Sequence, residues 1–488
     1  MRSTLKPLLF LVIIWFAGVV FFLGVGPLGN KPFLGFPLDD TWIHFSFARN
    51  LAEHHGFGLN PCEPSSGSTS PLWVVLLAFL NLLGLSFETA ALGMGIFFVL
   101  LTALCVEKIV FALTGEKKAA VAAALLVLLS GRFLWGALSG MEVALFSFLA
   151  ACGICLHQKF LQGDRGSLLP ALVFGLASLA RPEGHLLFVL ACGDLCLRNI
   201  RRLKEVGPSV FSYVVVYLAV VSSYLGFSWI LTHRFFCSSY YSKMLFTWRM
   251  EAWPYLKEYV SLVFLDNPFL AVFLFSGLWE GIRRRWGLLS IWLVVFPLAA
   301  SRVSPILIHH GRYLMPLIPF YVIAGFLGLH RLLHGRAYRI VLVMAIVWSI
   351  AGVGLWGRTY ATDSLSIYGQ HYRAALWLRD HTDPQDAVAS NDIGVISYVS
   401  GRYVVDLCGI IRLSVMRIMC SSAPEESRRH MLWRYLAARR VKYLAYYPEW
   451  FPWVDDRACL KKVYEVRFTG NTIAASDTME VYRVLCIE

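Results

Sequence analysis

Residues 35–73 read GFPLDDTWIHFSFARNLAEHHGFGLNPCEPSSGSTSPLW, and this stretch separates the first long apolar segment from the rest of the chain. It opens with two adjacent carboxylates, Asp39 and Asp40, which follow a proline. An amphipathic run with interleaved aromatic and polar residues comes next, and a loop rich in glycine, serine and proline closes the stretch. An ionised carboxylate can take a proton from a hydroxyl within hydrogen-bond reach. We therefore predict that an aspartate of this stretch acts as a general base.

The composition of the chain is that of a polytopic membrane protein. Of its 488 residues, 57% are hydrophobic and only 15% are charged. Many apolar runs approach or exceed the roughly 18–20 residues that span a bilayer as a helix. The net charge of +13 could indicate nucleic acid, but the basic residues form short clusters between apolar runs. Because that pattern is the positive-inside signature of membrane proteins, no nucleic-acid partner is predicted.

The basic clusters predict about eleven transmembrane helices with a cytoplasmic N-terminus. The first helix (about 8–26) leads outward, so residues 27–87 form the first outer loop. Within that loop, residues 71–85 are apolar but short for a span. If they crossed, Lys117 and Lys118 would lie outside, so we expect a juxtamembrane helix instead. The other predicted helices lie at about 88–112, 119–134, 141–158, 167–180, 185–197, 209–232, before 283, at 286–301, before 331 and at 338–356.

The composition changes at residue 358, where charged residues begin to occur throughout. We predict a transmembrane domain over residues 1–357 and an extracytoplasmic α/β domain over 358–488. Strand-like and helical pieces alternate in the second domain. The strands are expected at 387–390, 403–407, 441–446 and 481–485, and the helices at 368–381 and 425–440. Four cysteines here, Cys408, Cys420, Cys459 and Cys486, could pair in an oxidising compartment, with the connectivity open.

Several polar residues on the predicted outer face are candidates for substrate binding. In the topology above they lie at the same side of the membrane as the two aspartates. Charges near a helix junction in a membrane are costly, which makes function a reasonable default. Arginine binds phosphate through a bidentate fork and lysine as a point charge. The candidates are His44, Arg49, Glu142, Arg181, Lys243 and Arg312.

Each candidate also has a purely structural interpretation. The aspartate pair could be solvated, or could cap a helix that starts at Thr41. Glu142 could be an acid placed favourably in a first helical turn. Arg181 and Glu183 could pair with each other, and each isolated basic residue could anchor the chain at the membrane interface. These interpretations stay open on the sequence.

The stretch LDDTWIHFSFARNLAEHHGFGLNPCEPSSGSTSPLW resembles the first outer loop of GT-C glycosyltransferases, in particular the bacterial branch related to mycobacterial arabinofuranosyltransferases. SGMEVALF, LARPEG, YYSK and GRYLMPLIP are similar to later motifs of that branch, and NDIGVISYVSGRYVVDLCG is similar to its outer C-terminal domain. The chain departs from the pattern at Thr41, Trp42 and Cys62. The residues Ser66-Gly67-Ser68 replace an acidic version of the loop.

The resemblance implies an inverting glycosyltransferase of the bacterial cytoplasmic membrane, acting on cell-envelope glycan, lipid or protein. A sugar would pass from a polyprenyl-phosphate donor to an acceptor hydroxyl outside the cytoplasm. The acid that opens the first loop would be the base, which maps onto Asp39 with Asp40 beside it. The second outer-loop acid would correspond to Glu142, and the groups holding the lipid phosphate to Lys243 and Arg312.

No cofactor is predicted, because the displacement needs no nucleotide and a phosphate leaving group held by arginine and lysine needs no metal. A divalent cation on Asp40 or Glu142 is an alternative, since carboxylate oxygens suit hard metals. The competing function is a transporter or flippase of a lipid-linked solute, but such sites typically lie near the bilayer midplane between repeated halves. A non-catalytic scaffold is a third interpretation, in which Asp39 would tolerate replacement by asparagine.

Overall fold

The computed structural model describes residues 2–27, 31–163, 167–247, 250–303, 305–451 and 459–486. The chain divides into two compact units, each assembled from three segments. The first comprises Met1–Val25, Ala91–Tyr224 and Met250–Arg358, and the second comprises Gly26–Ala90, Leu225–Arg249 and Thr359–Glu488. The second unit therefore combines residues 26–90, most of which were predicted to form the first outer loop, with the C-terminal segment.

The apolar helices confirm a polytopic α-helical membrane protein. Among the described residues, six helices are long and apolar enough to cross a bilayer. A seventh span results if Lys117–Leu128 and Gly131–Leu138, which meet at 56°, act as one. Every predicted segment coincides with at least one helix, whereas the number of crossings stays a prediction. The helices lying wholly or mainly in the first unit are Arg2–Gly24, Phe87–Thr114, Lys117–Leu128, Gly131–Leu138, Val143–Leu161, Leu169–Ala180, Glu183–Arg198, Leu203–Thr232, Ala252–Asp266, Pro268–Ala271, Leu274–Arg283, Gly287–Val303, Ile308–Gly311, Ile318–Leu332 and Gly335–Ile367.

Glycines allow two helices of the first unit to pack backbone against backbone. A Cβ atom added to Gly277 would lie 1.6 Å from the carbonyl oxygen of Ala324, and one added to Gly328 would lie 2.0 Å from that of Phe273. The helices Leu274–Arg283 and Ile318–Leu332 therefore approach closely. In a bilayer, where lipid tails are as apolar as leucine, such close packing of small residues is a main source of helix association.

The C-terminal part of the second unit contains a five-stranded mixed sheet. Its strands are β1 (Ala387–Ser390), β2 (Tyr403–Asp406), β3 (Val441–Tyr446), β4 (Leu460–Arg467) and β5 (Thr478–Val484). The strand order is β2-β1-β3-β5-β4. Strand β1 runs parallel to β2 and β3, whereas β5 runs antiparallel to β3 and β4.

The structure confirms the predicted α/β character of this segment. The four predicted strands are present, but β4 was not predicted, because its charged residues interrupt the apolar pattern. Cys459 and Cys486 form a disulfide, while Cys408 and Cys420 are free thiols. The helical elements of this unit are Asp39–Ala52, Pro71–Leu82, Ser238–Thr247, the π-helix Tyr368–Tyr372, Arg373–His381, Ile393–Ser400, Leu413–Met419 and Glu425–Ala437.

The segment between the helices Asp39–Ala52 and Pro71–Leu82 covers the edge of the sheet. The side chain of Asn60 imitates a neighbouring strand: its Oδ1 accepts from the backbone N–H of Val404 (2.9 Å), and its Nδ2 donates to the carbonyl of Val404 (3.0 Å). Strand β2 is an edge strand, and covering such an edge prevents pairing with other chains.

The helix Pro71–Leu82 has 12 residues, about 18 Å at the usual rise per residue, which is short for a membrane span.

Candidate functional site

The predicted base, Asp39, caps a helix other than its own. The helix Asp39–Ala52 begins at Asp39 itself, with Leu38 at the N-cap and no side-chain cap. The alternative that the acid pair caps a helix starting at Thr41 is therefore wrong. Instead, Oδ2 of Asp39 accepts from the backbone N–H of Gly394 (2.8 Å) and Oδ1 accepts from that of Val395 (2.8 Å). These two amides open the helix Ile393–Ser400, whose first N–H groups have no partner within the helix.

Arg49, ten residues after Asp39 in the same helix, also binds the helix Ile393–Ser400. Its guanidinium donates to the carbonyl of Tyr398 (3.0 Å) and lies 4.8 Å from the centre of the Tyr398 ring. An acid at the N-terminus of a helix and a cation near its C-terminus both complement the helix dipole. We call this arrangement the two-ended clamp: Asp39 and Arg49 of one helix hold Ile393–Ser400 at its two ends.

The clamp requires a glycine at its acidic end. A Cβ atom on Gly394 would lie 2.0 Å from the backbone oxygen of Asp39 and 2.9 Å from its Oδ2. No such approach is tolerated between real atoms, so a larger residue would force the two helices apart. The motif Asn391-Asp-Ile-Gly therefore contains a steric requirement for the short contact with Asp39.

The surroundings of Asp39 make its carboxyl a weak acid. Burial, and after it the negative charge of Asp392, raise the pKa of Asp39 from 3.8 to about 7. His371 and the two backbone hydrogen bonds act in the opposite direction. A general base works best when its pKa is close to the working pH. The carboxyl of Asp39 can therefore exchange a proton near neutral pH.

A second layer of polar residues, not predicted from the sequence, holds the segment that carries Asp392. The Nε2 atom of His371 lies 2.8 Å from Oδ2 of Asp392 and 2.9 Å from the hydroxyl of Tyr447. The backbone N–H of Tyr447 also donates to Oδ1 of Asn391 (3.2 Å). The only sequence signal for this layer was the resemblance of the NDIG motif, which did not indicate its partner in the first loop.

The other candidates of the second unit lie on the same or neighbouring elements. His44 is buried in the helix Asp39–Ala52, and Asp40 is partly buried. Burial raises the pKa of the Cys408 thiol, as do the nearby carboxylates, including those of Asp39 and Asp40. Lys243 lies in the helix Ser238–Thr247, where the neighbouring Ser242 donates to the carbonyl of Gly409. Among the described residues, no cluster of three or more histidine, cysteine or acidic residues is arranged for a metal ion.

In the first unit, the structure brings Glu142 and Arg181 together. The NH1 group of Arg181 donates to Glu142 (3.1 Å), while its Nε and NH2 groups donate to the two oxygens of Glu183 (3.2 and 2.7 Å). Glu142 is the N-cap residue of Val143–Leu161 but caps it with no side-chain bond. The expected pairing of Arg181 with Glu183 is thus present, and Glu142 adds a second carboxylate. Both Arg181 and Glu142 are buried.

Tyr313 connects this cluster with Arg312. The guanidinium of Arg181 lies 5.6 Å from the centre of the Tyr313 ring, and that of Arg312 lies 4.9 Å from it. Arg312 also donates to the Tyr313 hydroxyl (2.9 Å). Cations are attracted to the face of an aromatic ring at such distances. Three predicted residues of the first unit, Glu142, Arg181 and Arg312, therefore belong to one buried group.

A strained turn precedes Arg312. His309, His310 and Gly311 all have positive φ angles, of 54°, 59° and 66°, a conformation that non-glycine residues rarely adopt. The carbonyl of His310 accepts from Arg132 (3.1 Å), which in turn forms a buried ion pair with Asp266. The Nε of Arg132 lies 2.7 Å from Oδ1 of Asp266. This ion pair, which the sequence did not reveal, stabilises the turn that positions Arg312.

Comparison with known proteins identifies the fold. ArnT from Cupriavidus metallidurans, solved bound to undecaprenyl phosphate, superimposes with a TM-score of 0.61 over 99% of this chain and 98% of its own, at 13% sequence identity. The archaeal oligosaccharyltransferase AglB from Archaeoglobus fulgidus, solved with an inhibitory peptide and a dolichol-phosphate, gives 0.59 over 90% of this chain and 69% of its own, also at 13% identity. This chain has the GT-C fold.

Comparison by sequence matches a smaller part of this chain than comparison by fold does. Residues 361–482 match a family described as a domain of unknown function (DUF8728). This match lies within the C-terminal segment and covers a quarter of the chain. No curated protein sequence matches. At 13% identity, the likeness to ArnT and AglB establishes the fold.

Proposed function

We propose that this chain is an inverting glycosyltransferase that moves a sugar from a polyprenyl-phosphate donor to an acceptor hydroxyl on the extracytoplasmic face of the membrane. The observation that carries the proposal is the likeness in fold, over 99% of the chain, to a protein solved with undecaprenyl phosphate. AglB, the second similar structure, was solved with a dolichol-phosphate. Both lipids are polyprenyl phosphates, so the same kind of donor is proposed here.

Asp39 is the proposed base. As the acceptor oxygen attacks the anomeric carbon, its proton passes to the carboxylate, and the bond from that carbon to the phosphate oxygen breaks on the opposite face. A single displacement of this kind inverts the anomeric centre. The two oxygens of Asp39 each accept one backbone N–H, and a carboxylate oxygen has two lone-pair sites. Each oxygen therefore retains a site for the acceptor proton.

Arg312 and Lys243 are the proposed ligands of the lipid phosphate. A guanidinium binds phosphate with two parallel hydrogen bonds, and an ammonium adds a point charge. The buried position of Arg312 beside Tyr313 strengthens its electrostatic effect, because the surroundings have a low dielectric constant. Neutralising the departing phosphate lowers the barrier to displacement.

The direct experiment supplies purified protein in proteoliposomes with a panel of undecaprenyl-phosphate sugars and cell-envelope extracts as acceptors. We expect transfer from at least one donor, with release of undecaprenyl phosphate. Arg312→Ala should raise the donor KM much more than the acceptor KM, with partial recovery in Arg312→Lys. Movement of the lipid-linked sugar across the bilayer with no new glycosidic bond would instead identify a flippase.

The proposed orientation has the N-terminus in the cytoplasm of a bacterium and residues 358–488 outside the cytoplasmic membrane. It is supported by the basic clusters between the apolar segments. The Cys459–Cys486 disulfide also suits an oxidising compartment. Reporter fusions at Lys117 and Arg284 should read as cytoplasmic, and one after Arg358 as external. The reverse pattern would contradict this orientation.

A further inference from the structure

A buried carboxylate in the first unit holds three arginines together. The side chain of Glu280 is only 4% exposed and lies near the end of the helix Leu274–Arg283. Arg283 binds it with two parallel hydrogen bonds, each of 2.9 Å. Nε of Arg284 donates to the same carboxylate, and NH1 of Arg331 lies 3.5 Å from its Oε2. We call Arg283, Arg284 and Arg331 the arginine cluster.

The guanidiniums of the arginine cluster remain accessible at the surface. Their side chains are 58%, 45% and 36% exposed. A guanidinium has five N–H donors, and among the described residues none of the three uses more than two of them in hydrogen bonds. The second bond of Arg284 goes to the backbone carbonyl of Leu113, which fixes the cluster against a further helix. The other donors are available to an anion, and arginine binds phosphate with such paired donors.

The arginine cluster carries an excess of positive charge. Glu280 neutralises one of its three charges, which leaves an excess of two. The acids of the neighbouring segment, Glu107 and Glu116, are offset by Lys117 and Lys118, and Lys117 pairs with Glu107. The charge of the cluster is therefore not cancelled by its surroundings, and it suits an anionic ligand.

Arg285 adds a further cation on the same turn, at a cost to the backbone. Its φ angle is 64°. The backbone N–H of Trp286 donates to the carbonyl of Gly281 (2.7 Å), and that of Arg285 donates to the carbonyl of Ile282 (3.0 Å). This is a Schellman ending, in which glycine is the usual residue at the left-handed position. An exposed arginine at a strained position points to a use for its charge.

An apolar stripe leads along the helix to the arginine cluster. Phe275, Trp279 and Arg283 are spaced by four residues, so they lie on one face of the helix Leu274–Arg283. Phe275 and Trp279 are exposed, as is Leu332 beside Arg331. In a membrane protein such exposed apolar residues contact acyl chains. A phosphate bound at Arg283 would thus have its acyl chains next to Trp279 and Phe275, which suits a ligand with a charged head and an apolar tail.

We propose that the arginine cluster binds the headgroup of an anionic phospholipid of the surrounding bilayer. Basic pockets between transmembrane helices bind headgroups of this kind. Because the cluster has an excess of two charges, a lipid with two phosphates, such as cardiolipin, should bind more tightly than one with a single phosphate.

This lipid site is separate from the one proposed for the donor phosphate. Arg331 lies in the last turn of the helix Ile318–Leu332, whereas Arg312 precedes the first turn. The two are therefore separated by about 20 Å along the helix axis. The lipid site does not depend on the proposed function.

Binding is measured by native mass spectrometry of the full chain in detergent, titrated with cardiolipin, phosphatidylglycerol or the zwitterionic phosphatidylethanolamine. We expect the affinity to fall in that order. Arg283→Gln/Arg331→Gln should weaken cardiolipin binding about tenfold or more, as for the loss of charged hydrogen bonds. Arg284 remains in this variant, so the buried Glu280 keeps a cation.

Arg336→Gln/Arg339→Gln is the matched control. It also removes two exposed arginines, from the start of the next helix, but among the described residues neither pairs with Glu280. Cardiolipin binding should change less than twofold. An equal loss in both double variants would show that basic charge in general attracts the lipid, and it would overturn the site.

Three further results would also contradict the proposal. The first is equal affinity for cardiolipin and phosphatidylethanolamine. The second is loss of cardiolipin binding in Arg312→Ala but not in Arg283→Gln/Arg331→Gln, which would assign the lipid to the donor site. The third comes from amide hydrogen exchange, which needs no variant: cardiolipin should slow exchange in residues 280–286, and unchanged exchange there would exclude the site.

Discussion

Asp39 and Glu142 are both acids at the start of a helix, but each has a different kind of partner. Asp39 is held by two neutral backbone amides, and burial and then the negative charge of Asp392 raise its pKa. Glu142 is held by the full positive charge of Arg181. A buried acid held by neutral amides can gain and lose a proton near neutral pH. An acid bound to a guanidinium acts as the counter-ion of that cation. The partner, more than the residue type, therefore decides which acid can serve as a base.

The largest effect is expected from Asp39→Asn. An amide has no basic oxygen, and loss of a general base lowers the rate by about 10²–10⁴-fold. Sugar transfer should fall by that factor, while Asp40→Asn, measured in parallel, shows the effect of removing the neighbouring charge. Full activity of Asp39→Asn would exclude Asp39 as the base. Because an asparagine cannot accept from both Gly394 and Val395, the melting temperature must be recorded with each rate.

The next largest effect is expected from removing Arg181, the cation between Glu142 and Glu183. Arg181→Leu leaves Glu142 and Glu183 without their cation, and breaking a buried pair costs about 3–5 kcal/mol of stability. We expect a large fall in the detergent melting temperature. The triple variant Arg181→Leu/Glu142→Gln/Glu183→Gln should recover much of it, because no unpaired charge remains. An unchanged melting temperature in the single variant would show that the cluster is not a stabilising ion pair.

Gly394→Ala isolates the clamp from the base. The added Cβ would lie 2.0 Å from the backbone oxygen of Asp39, and overpacking of this kind costs about 1–3 kcal/mol. We expect lower thermal stability, with the carboxyl of Asp39 chemically intact. Gly401→Ala does not provide the control, since Gly401 has a positive φ angle. Gly352→Ala does, because open space surrounds that position. Equal stability of Gly394→Ala and wild type would contradict the close contact.

The smallest expected effect is the change of kcat/KM for each pH unit. With a pKa of about 7 for Asp39, kcat/KM should fall about tenfold for each pH unit below 7 and level off above it. Stability should change in the opposite direction. The native state keeps this proton up to about pH 7, whereas an unfolded carboxyl loses it near 3.8, so this contribution to stability decreases as pH rises between those values. A flat rate between pH 5 and 8 would contradict the raised pKa.

Most helices and strands could be predicted from the sequence. The apolar segments and basic clusters predicted helices that the structure contains, because a bilayer demands long apolar helices wherever it is crossed. The strands at 387–390 and 441–446 followed from short apolar runs. Strand β4 did not, since a half-exposed strand containing Lys461, Lys462 and Glu465 lacks that signal.

The site was predictable only in its residue types. Residue type, predicted topology and motif resemblance identified Asp39, Glu142, Arg181 and Arg312 as candidates. They could not assign partners that are far apart in the chain. Arg181 meets Glu142 at a sequence separation of 39, and Asp39 meets Gly394 at 355. Such pairings depend on how helices pack, and a local pattern contains no information about them.

By itself, the sequence determined the helical membrane class, the α/β character of the C-terminal segment and the position of the acid pair after the first helix. These properties depend on hydrophobicity and charge along the chain, which are local. Only the tertiary structure decided that Asp39 faces the amides of Ile393–Ser400 and Glu142 faces Arg181. Burial and neighbouring charge set the protonation of an acid, and both exist only once the chain has folded.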